Sequence, residues 1–214
     1  MTVGASLLAN LRWLVHAAAA VPLLRLVLGA FGMAGQTLGP DPVEYLLREL
    51  GWWAVVLLVA TLAVTPLRVW TAKAPLLRLR RPLGLWAFTY ALLHLTVYLV
   101  LDRQLAWSEI VGDLAKRPYI MVGMLAVTLL LPLAATSTAA AMRRLGRRWQ
   151  TLHRLTYPAA VLGVLHFALQ VKKDLTEPLV FAVILGGLLV WRLRRALSRT
   201  RTPPSPDSSA PCQR

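Results

Sequence analysis

The sequence has very little cysteine and few charged residues for its length. Cys212 is the only cysteine among 214 residues, so the chain cannot form an internal disulfide or an iron–sulfur site built on several cysteines. Charged residues make up 15% of the chain and hydrophobic residues 57%. A soluble domain rarely combines so few charges with so many long apolar runs. The composition therefore predicts several membrane-spanning helices, each of about 20 mostly apolar residues.

Familiar catalytic motifs are absent as well. The sequence contains no HExxH, no GxSxG and no phosphate-binding loop, so no substrate-converting site of its own is evident. No internal repeat and no second domain is visible. All acidic residues fall in loops, at the ends of apolar runs or in the C-terminal tail. A helical membrane bundle with paired histidines and little else indicates an electron-transfer subunit.

Six apolar segments are long enough to be spans. They cover approximately 11–30, 51–70, 83–101, 118–138, 152–171 and 177–193. A single arginine precedes the first run closely, which is typical of a retained helix rather than a cleaved leader. We therefore expect an all-α integral membrane protein, a six-transmembrane-helix bundle over 11–197. A short segment 1–10 precedes it, and a disordered tail 198–214, rich in Pro and Ser, follows.

The charges are unevenly placed along the chain. Lysine and arginine number 24 against 9 aspartate and glutamate, a formal net charge of +15. Loops 71–82 and 139–151 contain basic residues and no acid, whereas 31–50 and 102–117 are balanced or acidic. This alternation follows the positive-inside rule. We therefore expect both termini and the two basic loops in the cytoplasm, 31–50, 102–117 and 172–176 on the other side of a bacterial inner membrane, and no nucleic-acid site.

Ionisable residues within spans are costly and are therefore candidates for function. Arg68, Lys172 and Arg192 lie at span ends, where a long side chain can reach water. Arg25 lies deeper and must face protein, water or a headgroup; a structural tether is one interpretation. The histidines remain, because all four in the chain fall within or at the edge of predicted spans.

His94 and His166 lie at matching depths on antiparallel spans. At 1.5 Å per residue, His94 is about 12 Å and His166 about 9 Å inside the outer boundary. Each stands above small residues on its own helix face, at i−3 and i−7. These residues are Ala91 and Ala87 below His94, and Gly163 and Ala159 below His166. Such strips serve either close helix packing or a planar cofactor, and the matched depths favour haem with two axial imidazoles. Zinc fits less well because it takes three or four protein ligands.

The other two histidines are expected near the cytoplasmic rim. On a continuous helix, His153 is about 19.5 Å from His166 and about 140° around the axis. Pro158 lies between them, and a kink there leaves the angle open. The third span offers Arg80 and Arg81 at the depth of His153. His16 is at the right depth to partner His153, although a rim histidine bonded to water or backbone is the favoured interpretation.

Three runs, in order, carry a family resemblance: RRPLGLWAFTYALLHLTVY (80–98), KRPYIMVGMLAVTLLLPLAATST (116–138) and RRLGRRWQTLHRLTYPAAVLGVLHFALQVK (143–172). With GPDPVEY in the first outer loop, they closely resemble the MsrQ (YedZ) family of haem-binding membrane subunits. That family belongs to the ferric-reductase-like transmembrane group. The resemblance covers roughly 12–195.

The resemblance implies one or two b-type haems and FMN. By motif match, His94, His153 and His166 become candidate ligands of haem iron. Arg80 and Arg81 match an arginine pair plausible near flavin phosphate, although topology and headgroup binding would also explain them.

The resemblance also implies partners. Electrons would pass from a cytoplasmic flavin reductase or the quinone pool to the periplasmic molybdopterin subunit MsrP, in a heterodimer that reduces methionine sulfoxide in oxidised periplasmic proteins. The chain lacks the soluble flavin and nicotinamide domains of larger ferric reductases, so a separate donor is required.

Two other functions compete with electron transfer. A histidine-based proton or metal transporter would be expected to have acidic groups within its spans and helices broken at mid-membrane. A structural membrane anchor for a periplasmic partner explains the bundle but not the matched histidines.

Overall fold

A computed structural model describes residues 3–35, 37–171 and 174–200, and within these ranges the regular elements are all helical. The α-helices are α1 Val3–Ala30, α2 Pro42–Thr71, α3 Arg80–Val97, α4 Trp107–Lys116, α5 Pro118–Ala135, α6 Ala139–Leu145, α7 Arg147–Leu152, α8 Thr156–Gln170 and α9 Thr176–Thr200. Short 3₁₀ turns cover Met33–Gly35, Ala74–Leu79 and His153–Leu155, and a π-turn, Tyr98–Asp102, extends α3. Lys172, Cys212 and the tail from residue 201 lie outside the described residues.

Within the described ranges, five helical segments are long and apolar enough to cross a membrane, which makes the chain a multi-pass membrane protein. They are Asn10–Ala30, Pro42–Thr71, Ala74–Asp102, Pro118–Ala135 and Thr176–Ser198. The predicted sixth span, 152–171, is instead a 15-residue helix, α8, behind the 3₁₀ turn His153–Leu155. At 1.5 Å per residue α8 covers about 22 Å. The six-span count is therefore not confirmed.

The distance and angle expected between His153 and His166 assumed one continuous α-helix, which the structure does not have there. The 3₁₀ turn separates His153 from the start of α8 at Thr156. Pro158 lies in the first turn of α8, where its missing N–H leaves no helical bond unmade. It marks the beginning of a helix and not a kink within one.

Prolines and one polar cap set the limits of the helices around the core. Asp41 accepts a hydrogen bond from the Glu44 N–H at 3.0 Å, with Pro42 in the first turn of α2. Arg117 is extended before Pro118, as a residue before proline prefers, and α5 begins there. α2 packs along α3, and α5 packs along α8, to form the two most extensive helix pairs.

The core lies around α2, which also contacts α8 and α9. Its buried members include Leu62 and, from the neighbouring helices, Tyr90 and Ala159, all with no exposed surface. The Tyr90 hydroxyl donates to the Ala19 carbonyl at 2.7 Å and so joins α3 to α1. Small residues where helices cross let the backbones approach closely, as is usual in membrane bundles.

Arg192 lies at a span end, where its side chain was predicted to reach out to water. The structure shows that it does not. Pro66 within α2 has no N–H, so the Leu62 carbonyl lacks its helical donor. Arg192 Nη2 donates to that carbonyl at 2.7 Å and to Thr65 Oγ1 at 3.0 Å. Nη1 donates to the Tyr157 hydroxyl. The guanidinium therefore joins α9 to α2 and α8, and it supplies the bond that a proline removed.

The other two arginines of this group stay at the surface. Arg68 is exposed in the last turn of α2, as expected. Arg25 is exposed on α1, and its side chain makes no hydrogen bond or ion pair with the described residues. These observations therefore give no support to the interpretation of Arg25 as a structural tether.

Arg192→Met is expected to destabilise the protein by about 1–3 kcal/mol, since it leaves the Leu62 carbonyl buried without a donor. Arg194→Met is the matched control, because Arg194 is exposed on the same helix. Thermal unfolding of both variants in the same detergent measures the difference. Equal melting temperatures for the two variants would contradict the role assigned to Arg192.

Candidate functional site

A cavity of about 440 Å³ lies between α2, α3, α5 and α8 and contains two facing histidines; we call it the histidine cavity. His94 of α3 and His166 of α8 have ring centroids 6.0 Å apart, with ring planes at 83°. The volume is within the range of about 300–1,000 Å³ typical of ligand pockets. Small residues form much of the wall: Gly51, Ala91, Gly123, Ala159 and Gly163.

Each ring is held by a backbone carbonyl of a neighbouring helix. His94 Nδ1 lies 2.8 Å from the Leu47 carbonyl oxygen, and His166 Nδ1 lies 2.7 Å from that of Tyr119. A carbonyl only accepts hydrogen bonds, so Nδ1 carries the proton and Nε2 keeps its lone pair in both rings. This is the arrangement that orients histidines bound to metals.

Two glycines let each histidine ring approach the backbone of the neighbouring helix closely. A Cβ on Gly51 would lie 3.2 Å from His94 Nδ1, and one on Gly123 would lie 2.7 Å from His166 Nδ1. Neither glycine was predicted, because the small residues expected beside each histidine lay only on the helix that carries it. The available signal was a glycine within each of the partner helices, α2 and α5.

The geometry fits one metal ion between two axial imidazoles. A metal–nitrogen distance of roughly 2.0–2.1 Å on each side, added to the ring radii, gives about 6 Å between ring centres. Among the described residues, no three His, Cys, Asp or Glu side chains form a group that could hold a metal ion. Zinc would need such a group. Haem iron needs only two axial ligands from the protein, because its macrocycle supplies the others.

The mouth of the histidine cavity is polar. Asp113 of α4 receives a hydrogen bond from the Tyr98 hydroxyl at 3.1 Å. It also pairs with Arg103 Nε at 2.7 Å and Arg117 Nε at 3.0 Å. The bond of Arg117 to the Tyr119 hydroxyl, and then the charge of Asp113, raise the pKa of Arg117. Both arginines therefore remain cationic at the mouth, with Asp113 as a shared counter-ion.

A second cavity, of about 610 Å³, lies at the other end of the bundle; we call it the arginine cavity. None of its lining residues is acidic, and five are arginines: Arg12, Arg78, Arg80, Arg81 and Arg154. Arg80 is half-buried and Arg81 exposed. The cavity therefore favours an anionic group.

His153 lines the arginine cavity, as its predicted depth beside Arg80 and Arg81 implied. Its Nε2 lies 3.2 Å from Thr136 Oγ1. Its ring stacks on Trp149 with centroids 3.9 Å apart. Unlike the facing pair in the histidine cavity, His153 has its Nε2 engaged by a side chain.

His16 belongs to neither cavity. Its Nδ1 accepts a hydrogen bond from Trp86 Nε1 at 2.9 Å, which joins α1 to α3. It does not partner His153, and its bond is to a side chain rather than to backbone or water as expected. The structure thus brings two of the four histidines together and keeps the other two apart.

The two cavities meet at Leu58 and Leu130, which line both of them. Both leucines are buried, at 5% and 7% exposure. Only apolar side chains are shared between the cavities. An electron acceptor in one cavity would therefore be separated from one in the other by the apolar side chains of these two leucines.

Comparison with known families agrees with this architecture. The family described as ferric reductase like transmembrane component matches residues 50–164. That range runs from α2 into α8 and contains His94 and His153. The helical fold and its cavities thus define a membrane redox subunit of the ferric-reductase-like class. No solved structure matches the chain.

Several relatives carry the name protein-methionine-sulfoxide reductase heme-binding subunit MsrQ. One from Rhodospirillum rubrum is 52% identical, over 86% of this chain and 89% of its own length. One from Xanthomonas axonopodis pv. citri is 48% identical, over 88% of both chains. One from Brucella ovis is 47% identical, over 89% of this chain and 85% of its own. The chain belongs to the MsrQ family.

Proposed function

We propose that this chain carries electrons across a bacterial inner membrane through b-type haem, with His94 and His166 as axial ligands in the histidine cavity. The observation that carries the proposal is the pair of unprotonated Nε2 atoms on rings 6.0 Å apart. The names of the relatives as heme-binding subunits support it. Bound haem iron would take up and release one electron at a time.

The protein's own groups would hold and insulate that haem. The Leu47 and Tyr119 carbonyls fix the two imidazoles in one tautomer. The wall of small and apolar residues gives room for a planar macrocycle and excludes water. At the mouth, Arg103 and Arg117 lie where the anionic edge of a haem could meet them.

His94→Ala and His166→Ala are each expected to abolish this haem, because either change removes one of the two axial ligands. His16→Ala is the control, since His16 lines neither cavity. Reduced-minus-oxidised absorption spectra of the purified proteins, with haem quantified per chain, provide the measurement. A variant at position 94 or 166 with an unaltered spectrum would refute the ligand assignment.

Gly123→Ala is expected to lower haem content strongly, since the new methyl group would displace the His166 ring from its bond to the Tyr119 carbonyl. Gly51→Ala should have a weaker effect, because the corresponding distance is 3.2 Å rather than 2.7 Å. Gly187→Ala is the control, with nothing within 4 Å of the added Cβ. Haem per folded chain is measured for all three. An unchanged value for Gly123→Ala would show that the ring tolerates the methyl group.

The proposed topology puts both termini in the cytoplasm and makes α8 a sixth crossing. Both termini on one side require an even number of crossings. α8 packs against α5 and α9, which supports a place within the bundle. Its length of about 22 Å is less than the hydrocarbon thickness of about 30 Å, and local thinning of the bilayer accommodates such a mismatch. The transmembrane domain would then cover 11–197.

At the cytoplasmic end, we propose that the arginine cavity holds the entry cofactor. This is a second haem with His153 as an iron ligand, FMN with its phosphate on Arg80 and Arg81, or both. The five arginines and the lack of any acidic lining residue support an anionic ligand. A cytoplasmic flavin reductase or the quinone pool would supply the electrons.

At the other end, we propose that MsrP, a periplasmic molybdopterin subunit, takes the electrons in a heterodimer. The name of these relatives refers to a protein-methionine-sulfoxide reductase. The product of the system would be repaired methionine in oxidised periplasmic proteins. This chain would contribute electron transfer and no substrate-converting site.

Two variants separate the possible entry cofactors. Arg80→Gln with Arg81→Gln is expected to weaken FMN binding roughly a hundredfold or more, because each of the two charged hydrogen bonds contributes about 1.5–3 kcal/mol and every 1.4 kcal/mol is tenfold. His153→Ala is expected to lower haem per chain without affecting FMN. Arg68→Gln, exposed at the end of α2, is the control. If neither the haem nor the FMN content of the purified variants changes, the arginine cavity is not a cofactor site.

A further inference from the structure

We propose that α4 is an interfacial helix whose apolar face lies in the outer surface of the lipid bilayer. The inference concerns the helix Trp107–Lys116, between the third and fourth membrane-spanning segments. It uses the fold and the exposed surface of this helix alone. It does not depend on haem, FMN or a partner protein.

The first observation is that α4 is tied to spans at both ends. Four residues separate the segment Ala74–Asp102 from the start of α4. The single residue Arg117 separates the end of α4 from the segment Pro118–Ala135. A one-residue connection reaches roughly 7 Å at most, with consecutive Cα atoms 3.8 Å apart. α4 therefore stays at the level where its neighbouring spans leave the hydrocarbon.

The second observation is that ion pairs fix which side of α4 faces the protein. Asp113 bonds to Tyr98 and Arg103 at the end of the third span. It also pairs with Arg117 at the start of the next span. These contacts turn the Asp113 side of the helix inward, over the mouth of the histidine cavity.

The third observation is the character of the opposite face. Trp107, Val111 and Leu114 lie at i, i+4 and i+7, on one side of the helix, and are 66%, 65% and 40% exposed. Tryptophan is favoured at the boundary between lipid and water. The exposed Lys116 at the C-terminal end suits a phosphate headgroup. An amphipathic helix of this kind buries its apolar face about 5–10 Å into the interface.

A cysteine scan tests the proposal in the full chain. Cys212→Ser removes the only native cysteine, and Val111→Cys is then labelled with a fluorophore. Glu109→Cys is the control: Glu109 is exposed like Val111 but lies about 160° from it around the helix, on the side where its carboxylate is 3.8 Å from Arg103 Nη1. Both proteins are reconstituted in vesicles of phosphatidylethanolamine and phosphatidylglycerol and quenched with iodide or with nitroxide-labelled lipid.

The label at position 111 is expected to show severalfold less iodide quenching and severalfold more quenching by nitroxide lipid than the label at 109. Trp107→Cys and Leu114→Cys should follow position 111, which keeps the test decisive if one variant folds poorly. Equal iodide quenching at 111 and 109 would place the helix in water. Protection of position 111 from both quenchers would mean that protein covers this face. Either result overturns the proposal.

Discussion

An imidazole has two nitrogens, and a single hydrogen bond decides which of them is left to act as a ligand. In both His94 and His166 that bond runs from Nδ1 to a carbonyl of a neighbouring helix. The N–H that a helix normally pairs with the Leu47 carbonyl belongs to Gly51, four residues later. The same relation connects Tyr119 and Gly123. One glycine thus shares its hydrogen-bond acceptor with the histidine and also leaves room for the ring.

The two cavities differ in how their charges are balanced. At the histidine cavity, Asp113 offsets Arg103 and Arg117. The arginine cavity has five arginines and no acidic lining residue. An anionic cofactor would therefore be drawn to the arginine cavity by charge, whereas the histidine cavity is defined by two imidazoles with unprotonated Nε2 atoms.

The residues shared by the two cavities distinguish the proposed electron transfer from the activity of a transporter. Leu58 and Leu130 offer no hydrogen bond, carboxylate or other polar group along which a proton or metal ion could pass. A proton pathway would need ionisable groups there. Electrons cross short apolar distances without such groups. A mere membrane anchor, for its part, would not need two histidines with unprotonated Nε2 atoms in one cavity.

The sequence was enough to predict the helical membrane fold and the facing pair of histidines. The lengths of the apolar runs identified five of the spans. The number of residues between each histidine and the end of its span placed His94 level with His166. Both predictions depend only on the rise per residue of a helix. Arg192 was mispredicted since its partner is a carbonyl left free by Pro66, on a helix far away in the sequence. Gly51 and Gly123 were missed for a similar reason. Each of these glycines matters because a neighbouring helix places a histidine ring against it.

The helices around the two cavities differ in length. The histidines of the cavities are carried by α3 and α8 and by the turn before α8, and α5 closes both sites. These helices have 18, 15 and 18 residues, respectively. The flanking α2 and α9 have 30 and 25. At 1.5 Å per residue, α5 and α8 cover about 27 and 22 Å, whereas α3 is part of the longer segment Ala74–Asp102. Arg192 connects the long helices α9 and α2 to Tyr157 in the first turn of α8. The long helices can thus fix the bundle in the bilayer, while α5 and α8 line both of the cavities between which the proposed function would move an electron.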